Sequence, residues 1–269
     1  MKTPPVLTSI QLTFYGARTL LLYLWLCVFA LFWMLPSLIF IPLLPLKLRH
    51  RWVARPFCRM ILWSAEAITG IHWRVVGAEH IPEGEQRCVI LAKHQSSWET
   101  FMLPMLLYPQ VQVAKQELTK APLFGWLLKH MHPILIDRMQ RAQALKQLVK
   151  DGAERLHNGF HILIFPEGSR VPPGTRKAFS KGAAMLAVKN NAPVLAVAHN
   201  AGEFWPHDHW IKRPGTITVV ISRVIDTTNL STQELHDQVE HWINSTVEEI
   251  SSTKFTGTMI TNTTSGKRF

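Results

Sequence analysis

The chain has 269 residues, with 29 Lys and Arg against 18 Asp and Glu, a formal charge of +11 before any of its 13 histidines is protonated. Its 47% hydrophobic and 17% charged residues are enough to bury a full core, which excludes a disordered or collagen-like chain and suits one domain with an appendage. Cys27, Cys58 and Cys88 lie far apart without CxxC spacing, so neither a disulfide framework nor a zinc knuckle is expected, and a reducing compartment fits best. The excess of positive charge asks for an anionic partner: nucleic acid, a lipid headgroup or a phosphorylated substrate.

From Thr19 to Leu46 no side chain is charged, and the stretch before Pro36 carries large apolar residues on every face, a lipid-facing composition. The proline-free part, Thr19 to Leu35, reaches roughly 25 Å as a helix, marginal against a hydrocarbon core of about 30 Å. Prolines 36, 42 and 45 speak against a clean second span and for a re-entrant or interfacial hairpin. Lys47, Arg49, Arg51, Arg55 and Arg59 follow, against only Lys2 and Arg18 upstream, which places the later residues on the cytoplasmic side of an inner membrane and lets them hold anionic lipid. A cleaved signal peptide is disfavoured, because Arg18 lies late and no A-x-A site closes the apolar run. Residues 1–69 are thus expected to form an anchoring segment, 70–250 a catalytic domain and 251–269 a loose polar tail.

Beyond Gly70, residues 71–76, 87–92, 111–114, 161–165, 194–198 and 216–221 read as short apolar strands between helical patterns, an α/β domain whose strands are expected to be mixed in direction. Ala142, Leu145, Val149, Gly152 and Leu156 recur at helical spacing, with Gly159 as the C-terminal stop. A second helix is expected over residues 180–190. A third follows Ser231-Thr232-Gln233-Glu234, a capping box.

The strand 87–92 runs into Lys93-His94-Gln95-Ser96-Ser97-Trp98-Glu99-Thr100, and strand exits are where α/β domains build their sites. Residues five apart on one helix diverge. His94 and Glu99 therefore meet only if the histidine precedes the helix and the glutamate lies in its first turn, with Ser96 as N-cap. Glu99 then holds one imidazole tautomer and leaves the other nitrogen to take a proton from a hydroxyl. The plainer alternative is that Ser96 and Glu99 form only a capping box; a serine nucleophile is disfavoured by the lack of a G-x-S-x-G elbow.

A second strand exit carries Phe165-Pro166-Glu167-Gly168-Ser169-Arg170, where glycine allows close backbone approach and Ser169 and Arg170 can donate to phosphate, unless the segment is only a turn with a solvated arginine. Lys115 and Arg138 are further phosphate candidates or ordinary surface charges. His207 and His209 lack the additional ligands that a metal site needs, so no metal is expected.

The ordered set, His-x4-acid, then Lys-x-x-Leu-x-x-x-Pro-x-x-Gly with a later Asp-Arg, then Phe-Pro-Glu-Gly-Ser-Arg, then an apolar proline-containing strand, resembles the glycerolipid acyltransferase family over roughly Trp73 to Ser222. Within it, the bacterial 1-acyl-sn-glycerol-3-phosphate acyltransferases are the most similar group. The resemblance implies acyl transfer from acyl carrier protein or coenzyme A to lysophosphatidic acid, with no cofactor, His94 as general base and Glu99 as its partner. It also implies that Glu167, Gly168, Ser169 and Arg170, helped by Lys115 and Arg138, bind the glycerol phosphate. Aspartate is usual in the family where Glu99 stands, and asparagine is frequent where Lys93 stands, so another lysophospholipid acceptor stays open. A non-catalytic adaptor that holds anionic membrane lipid is the rival of a different class. A nucleic-acid partner is not expected, since the basic residues cluster behind an apolar segment and no binding motif accompanies them.

Overall fold

The computed structural model describes residues 8–260 apart from Glu85 and Arg138, together with the backbone but not the side chain of Arg141. Helix α1 (Ser9–Phe40) opens on a Thr8 capping box and is about 48 Å long at 1.5 Å per residue. It runs through Pro36, where a stop was expected. The ring removes one donor from the helical ladder; the Ser37 hydroxyl next to it donates to the Trp33 carbonyl at 2.6 Å. Pro42 and Pro45 do end the helix: a 3₁₀ turn, the short α2 (Leu46–Arg49) and a π-helical turn lead into α3 (Arg55–Thr69). Among the described residues one helical stretch, Ser9–Leu43, is long and apolar enough to cross a membrane.

Part of α1 is nonetheless packed against the protein. Trp25 donates to the Ser64 hydroxyl at 2.7 Å and Phe29 stacks on Phe57, so α1 and α3 lie side by side. Leu20, Leu21, Leu24, Phe32 and Phe40 remain exposed on α1, as do Trp52 and Trp63.

The elements that follow are β1 (Ile71–Val76), β2 (Val89–Ala92), α4 (Glu99–Leu106), β3 (Gln110–Lys115), α5 (Phe124–His130), β4 (Ile134–Ile136), α6 (Arg141–His157) and β5 (His161–Ile164). Then come β6 (Arg176–Lys177), α7 (Gly182–Lys189), β7 (Val194–His199), β8 (Gly215–Ile221), α8 (Thr232–Ile250) and β9 (Met259–Ile260). Seven strands form one sheet in the order β1-β8-β7-β2-β5-β3-β4. The sheet is mixed, as expected: β7, β2, β5, β3 and β4 run parallel, while β8 pairs antiparallel to β7 and carries β1 with it. The carboxyl ends of five strands therefore share one edge.

Successive residues of a strand face opposite sides, and β2 separates two cores in this way. Ile90 and Ala92 pack towards α1, α3 and α4 with Leu22, Leu62 and Trp98; Val89 and Leu91 pack towards α6, α7 and α8 with Leu148, Leu186 and Leu235. The Ser231 capping box forms, and Gly159 closes α6 with φ +82°. The short β4 and the two-residue β6 and β9 were not anticipated. The polar stretch after Ser251, expected to be loose, is tied as far as Ile260: Thr253 N–H donates to Glu203, and β9 pairs with β6. The remainder of that stretch lies outside the described residues.

His161 on β5 gives the fold a pH dependence. Its buried ring accepts the Cys88 N–H at Nδ1, 3.1 Å away, and burial, with Arg87 adding to it, pushes its pKa from 6.5 down to about 4. The unfolded chain takes up this proton below pH 6.5 and the folded chain resists it, so the contribution is complete above pH 6.5 and is lost as pH falls towards 4. Thermal unfolding from pH 7 to 4 should show the wild type losing stability more steeply than His161→Gln, by up to about 1.4 kcal/mol per pH unit.

Candidate active site

At the edge formed by the five carboxyl ends, β2 leads into Lys93-His94 and β5 into the turn 165–170. Glu99 is the first residue of α4 and is fully buried. Its Oε1 accepts three hydrogen bonds: from the His94 ring at Nδ1 (2.9 Å), the Gln95 N–H (2.9 Å) and the Ser96 N–H (2.8 Å). One oxygen therefore ties the Gln95–Ser96 turn and holds the imidazole, while α4 starts behind Trp98 without a side-chain cap, not behind Ser96 as expected. No capping box closes, because the Ser96 hydroxyl accepts from Trp98 N–H and donates to the Trp205 carbonyl. Fully buried and occupied on both sides, Ser96 is no nucleophile.

Burial by itself would push the Glu99 carboxyl up, but His199, His94 and the Ser96 N–H together bring it below the usual carboxylate range. Burial drives His199 itself down. An ionised Glu99 must accept, so Nδ1 of His94 carries the hydrogen, and in the neutral ring the lone pair is on Nε2. The His94 ring lies flat on Phe165, centroids 4.1 Å apart, and its Nε2 has no hydrogen-bond partner among the described residues.

Glu167, expected at the substrate phosphate, instead lies beneath the histidine. It is buried, its Oε1 binds the buried Lys93 ammonium, and its Oε2 accepts the His94 N–H at 3.0 Å. Burial raises its pKa against the opposing pull of Lys93. With both oxygens occupied it supports His94 rather than facing a ligand. His199, at the end of β7, completes this layer: it receives the Ala201 N–H at Nδ1 and donates from Nε2 to the Lys93 carbonyl at 2.7 Å.

Gly168 adopts φ +69° and its N–H donates to the Phe165 carbonyl at 3.0 Å, so the turn needs glycine for its backbone conformation. Arg170 is exposed and donates from Nε to the Ser96 carbonyl at 3.0 Å, which brings its guanidinium alongside the histidine segment. The Ser169 hydroxyl accepts from Lys177 at 2.7 Å. Lys115 sits at the end of β3, exposed, with its ammonium 3.4 Å from Glu117. Arg138 lies outside the described residues.

The acyltransferase family pattern matches residues 72–200. The chain is 45% identical over 242 residues to a 1-acyl-sn-glycerol-3-phosphate acyltransferase of Pseudomonas aeruginosa, covering 89% of this chain and 93% of that one. The chain belongs to the acyltransferase family. A second relative, the 1-acyl-sn-glycerol-3-phosphate acyltransferase alpha of Mus musculus, is 28% identical over 72% of this chain and 70% of its own. The crystal structure of the 1-acyl-sn-glycerophosphate (LPA) acyltransferase PlsC from Thermotoga maritima superposes with a TM-score of 0.73 at 25% identity, covering 88% of this chain and 98% of that one. The residues matched to the acyltransferase family run from β1 to just past β7, and so include the whole cluster from Lys93 to Asn200.

Two residues of the cluster had no role in the sequence reading. Lys93 and His199 both end otherwise apolar strands, the position that drew attention to His94, and this signal was available for both.

The buried pair of Lys93 and Glu167 makes a stability test. Losing one partner strands a buried charge, at about 3–5 kcal/mol. Lys93→Met alone should therefore destabilise by about that amount in denaturant unfolding, and adding Glu167→Gln should recover a large part of it. Strictly additive losses would show that the two side chains do not pair.

Proposed function

We propose that the protein transfers an acyl group from an acyl carrier protein or coenzyme A thioester to the sn-2 hydroxyl of 1-acyl-glycerol-3-phosphate, giving phosphatidic acid. The observation that carries this reading is the imidazole held at Nδ1 by Glu99, with Nε2 unoccupied at the sheet edge and Arg170 alongside. His94 takes the hydroxyl proton at Nε2 while the oxygen attacks the thioester carbonyl. The tetrahedral intermediate collapses with cleavage of the C–S bond, and the proton passes from Nε2 to the departing thiolate. The products are the ester and a free thiol, with no covalent enzyme intermediate and no cofactor. General-base assistance of this kind contributes about 10² to 10⁴ in rate; holding both substrates at the site supplies much of the remainder.

Arg170 meets the acceptor phosphate by charge-assisted hydrogen bonds, with Ser169, Lys115 and Arg138 as its expected helpers. The exposed apolar faces of α1 and the Trp52 and Trp63 rings rest in lipid. Arg51, Arg55 and Arg59, exposed at helical spacing, then meet anionic headgroups on the cytoplasmic face of the inner membrane. The names of the relatives support lysophosphatidic acid as acceptor. Glu99 in place of the usual aspartate does not call for a different one, because α4 starts where the longer side chain reaches His94 at 2.9 Å.

Membranes containing wild type or His94→Ala, given lysophosphatidic acid and either thioester, test the reading: wild type should form phosphatidic acid and His94→Ala at least about 100-fold less. Product from neither, with both proteins folded, would remove the lysophosphatidic acid assignment. Arg170→Ala should raise the apparent KM for lysophosphatidic acid by about 10- to 100-fold, the worth of a lost charge-assisted hydrogen bond. An unchanged KM would deny Arg170 the phosphate.

A further inference from the structure

Residues 204–213 form a loop closed at its neck by the Arg213 N–H on the Phe204 carbonyl, 2.9 Å. Its interior is filled by the chain's own Lys212. That side chain is buried, donates to the carbonyls of Pro206 (3.2 Å) and His209 (3.0 Å), and lies over the rings of Trp205 and Tyr23. No carboxylate is within salt-bridge distance of it among the described residues. Burial pushes its pKa down to about 8, with Asp208 opposing. An ammonium held by carbonyls and ring faces alone is a costly filling for a loop that an apolar side chain could fill.

The loop grips two parts of the molecule. On one side the Lys212 N–H donates to the buried Thr19 hydroxyl of α1 at 2.9 Å, and Gly16 lets the Trp210 ring approach so closely that a Cβ there would stand 3.3 Å from it. On the other side the Trp205 carbonyl receives the Ser96 hydroxyl at 2.5 Å, and Gly202, just before the loop, donates to the Gln95 side chain. Gln95 and Ser96 supply the two backbone N–H groups that fix Glu99. A continuous set of hydrogen bonds and ring contacts therefore joins the apolar helix to the carboxylate behind His94.

We propose that Lys212 is a positioning residue which transmits the seating of α1 to the Glu99 and His94 pair, so that α1 is a working part of the site as well as a lipid contact. This rests on the acyl-transfer reading above for its kinetic readout, and a second readout is independent of it. The full chain in membranes carries Lys212→Met, which keeps the stem and loses the ammonium, Thr19→Val, which loses the acceptor for the Lys212 N–H, or Thr19→Ser, which keeps it. Lys212→Met and Thr19→Val should lower kcat by about 10- to 100-fold, the size of effect that a displaced catalytic group produces. The KM for lysophosphatidic acid should change less than kcat, because Arg170 is tied to this path only through its Nε bond to the Ser96 carbonyl. Thr19→Ser should be near wild type, and all variants should sediment with membranes.

In protein labelled with nitrogen-15 at histidine, the His94 Nδ1 proton should weaken or shift in the two damaging variants and not in Thr19→Ser. This signal reports on the coupling even if the acceptor is a different lysophospholipid. If Lys212→Met does not fold, Thr19→Val decides. Folded, membrane-bound variants with wild-type kcat and an unchanged His94 signal would overturn the proposal, and so would a loss of activity that only follows loss of membrane binding.

Discussion

One carboxylate oxygen, Oε1 of Glu99, accepts from an imidazole and two backbone N–H groups at 2.8–2.9 Å, and the site depends on it. A buried carboxylate is tolerated only where hydrogen bonds replace its water, and here the donors are the Gln95 and Ser96 N–H groups ahead of α4 and the ring of His94. Turn formation and tautomer selection thus become one event. The turn 94–99 cannot be held without holding the histidine, which is why the residue that ties this turn also orients the site.

Beneath that turn lies a second buried charge layer. Lys93 and Glu167 come from strand exits 74 residues apart in the chain, brought together because β2 and β5 are adjacent and parallel. His94 is bonded through its ring to Glu99 and through its backbone to Glu167, while His199 holds the Lys93 carbonyl from β7. Three neighbouring strands therefore converge on one imidazole. Such a layer is weak as a source of stability, because desolvation offsets most of the attraction; its strength is that few alternative arrangements satisfy all of its groups.

Much of this was legible in the sequence, and the reasons differ by element. The long strands announced themselves as unbroken apolar runs, since a parallel strand is covered on both faces. β4 was obscured because Ile134–Ile136 is only three residues between His132-Pro133 and Asp137, and β6 and β9 are too short to carry a pattern. Pro36 misled because its effect depends on neighbours: a lost donor is tolerable near the end of a long helix where a hydroxyl can bond to the preceding turn. His94 with Glu99 was readable because both lie within one local turn. Glu167 was placed at the ligand because the family resemblance implied it, and only the pairing of β2 with β5 shows that its carboxylate points into the protein. The loop around Lys212 was passed over, since its histidines raised only the question of metal, and its contact with Thr19 spans 193 residues.

The central claim is that an ionised Glu99 fixes His94 with the hydrogen on Nδ1 and a lone pair on Nε2. Nitrogen-15 NMR of the full chain labelled at histidine, recorded near neutral pH for wild type and Glu99→Gln, tests it directly. The expected result is a His94 signal of the Nδ1–H tautomer with a strongly hydrogen-bonded proton, lost or altered in Glu99→Gln. A His94 found as the Nε2–H tautomer in the wild type, or one indifferent to the substitution, would contradict it.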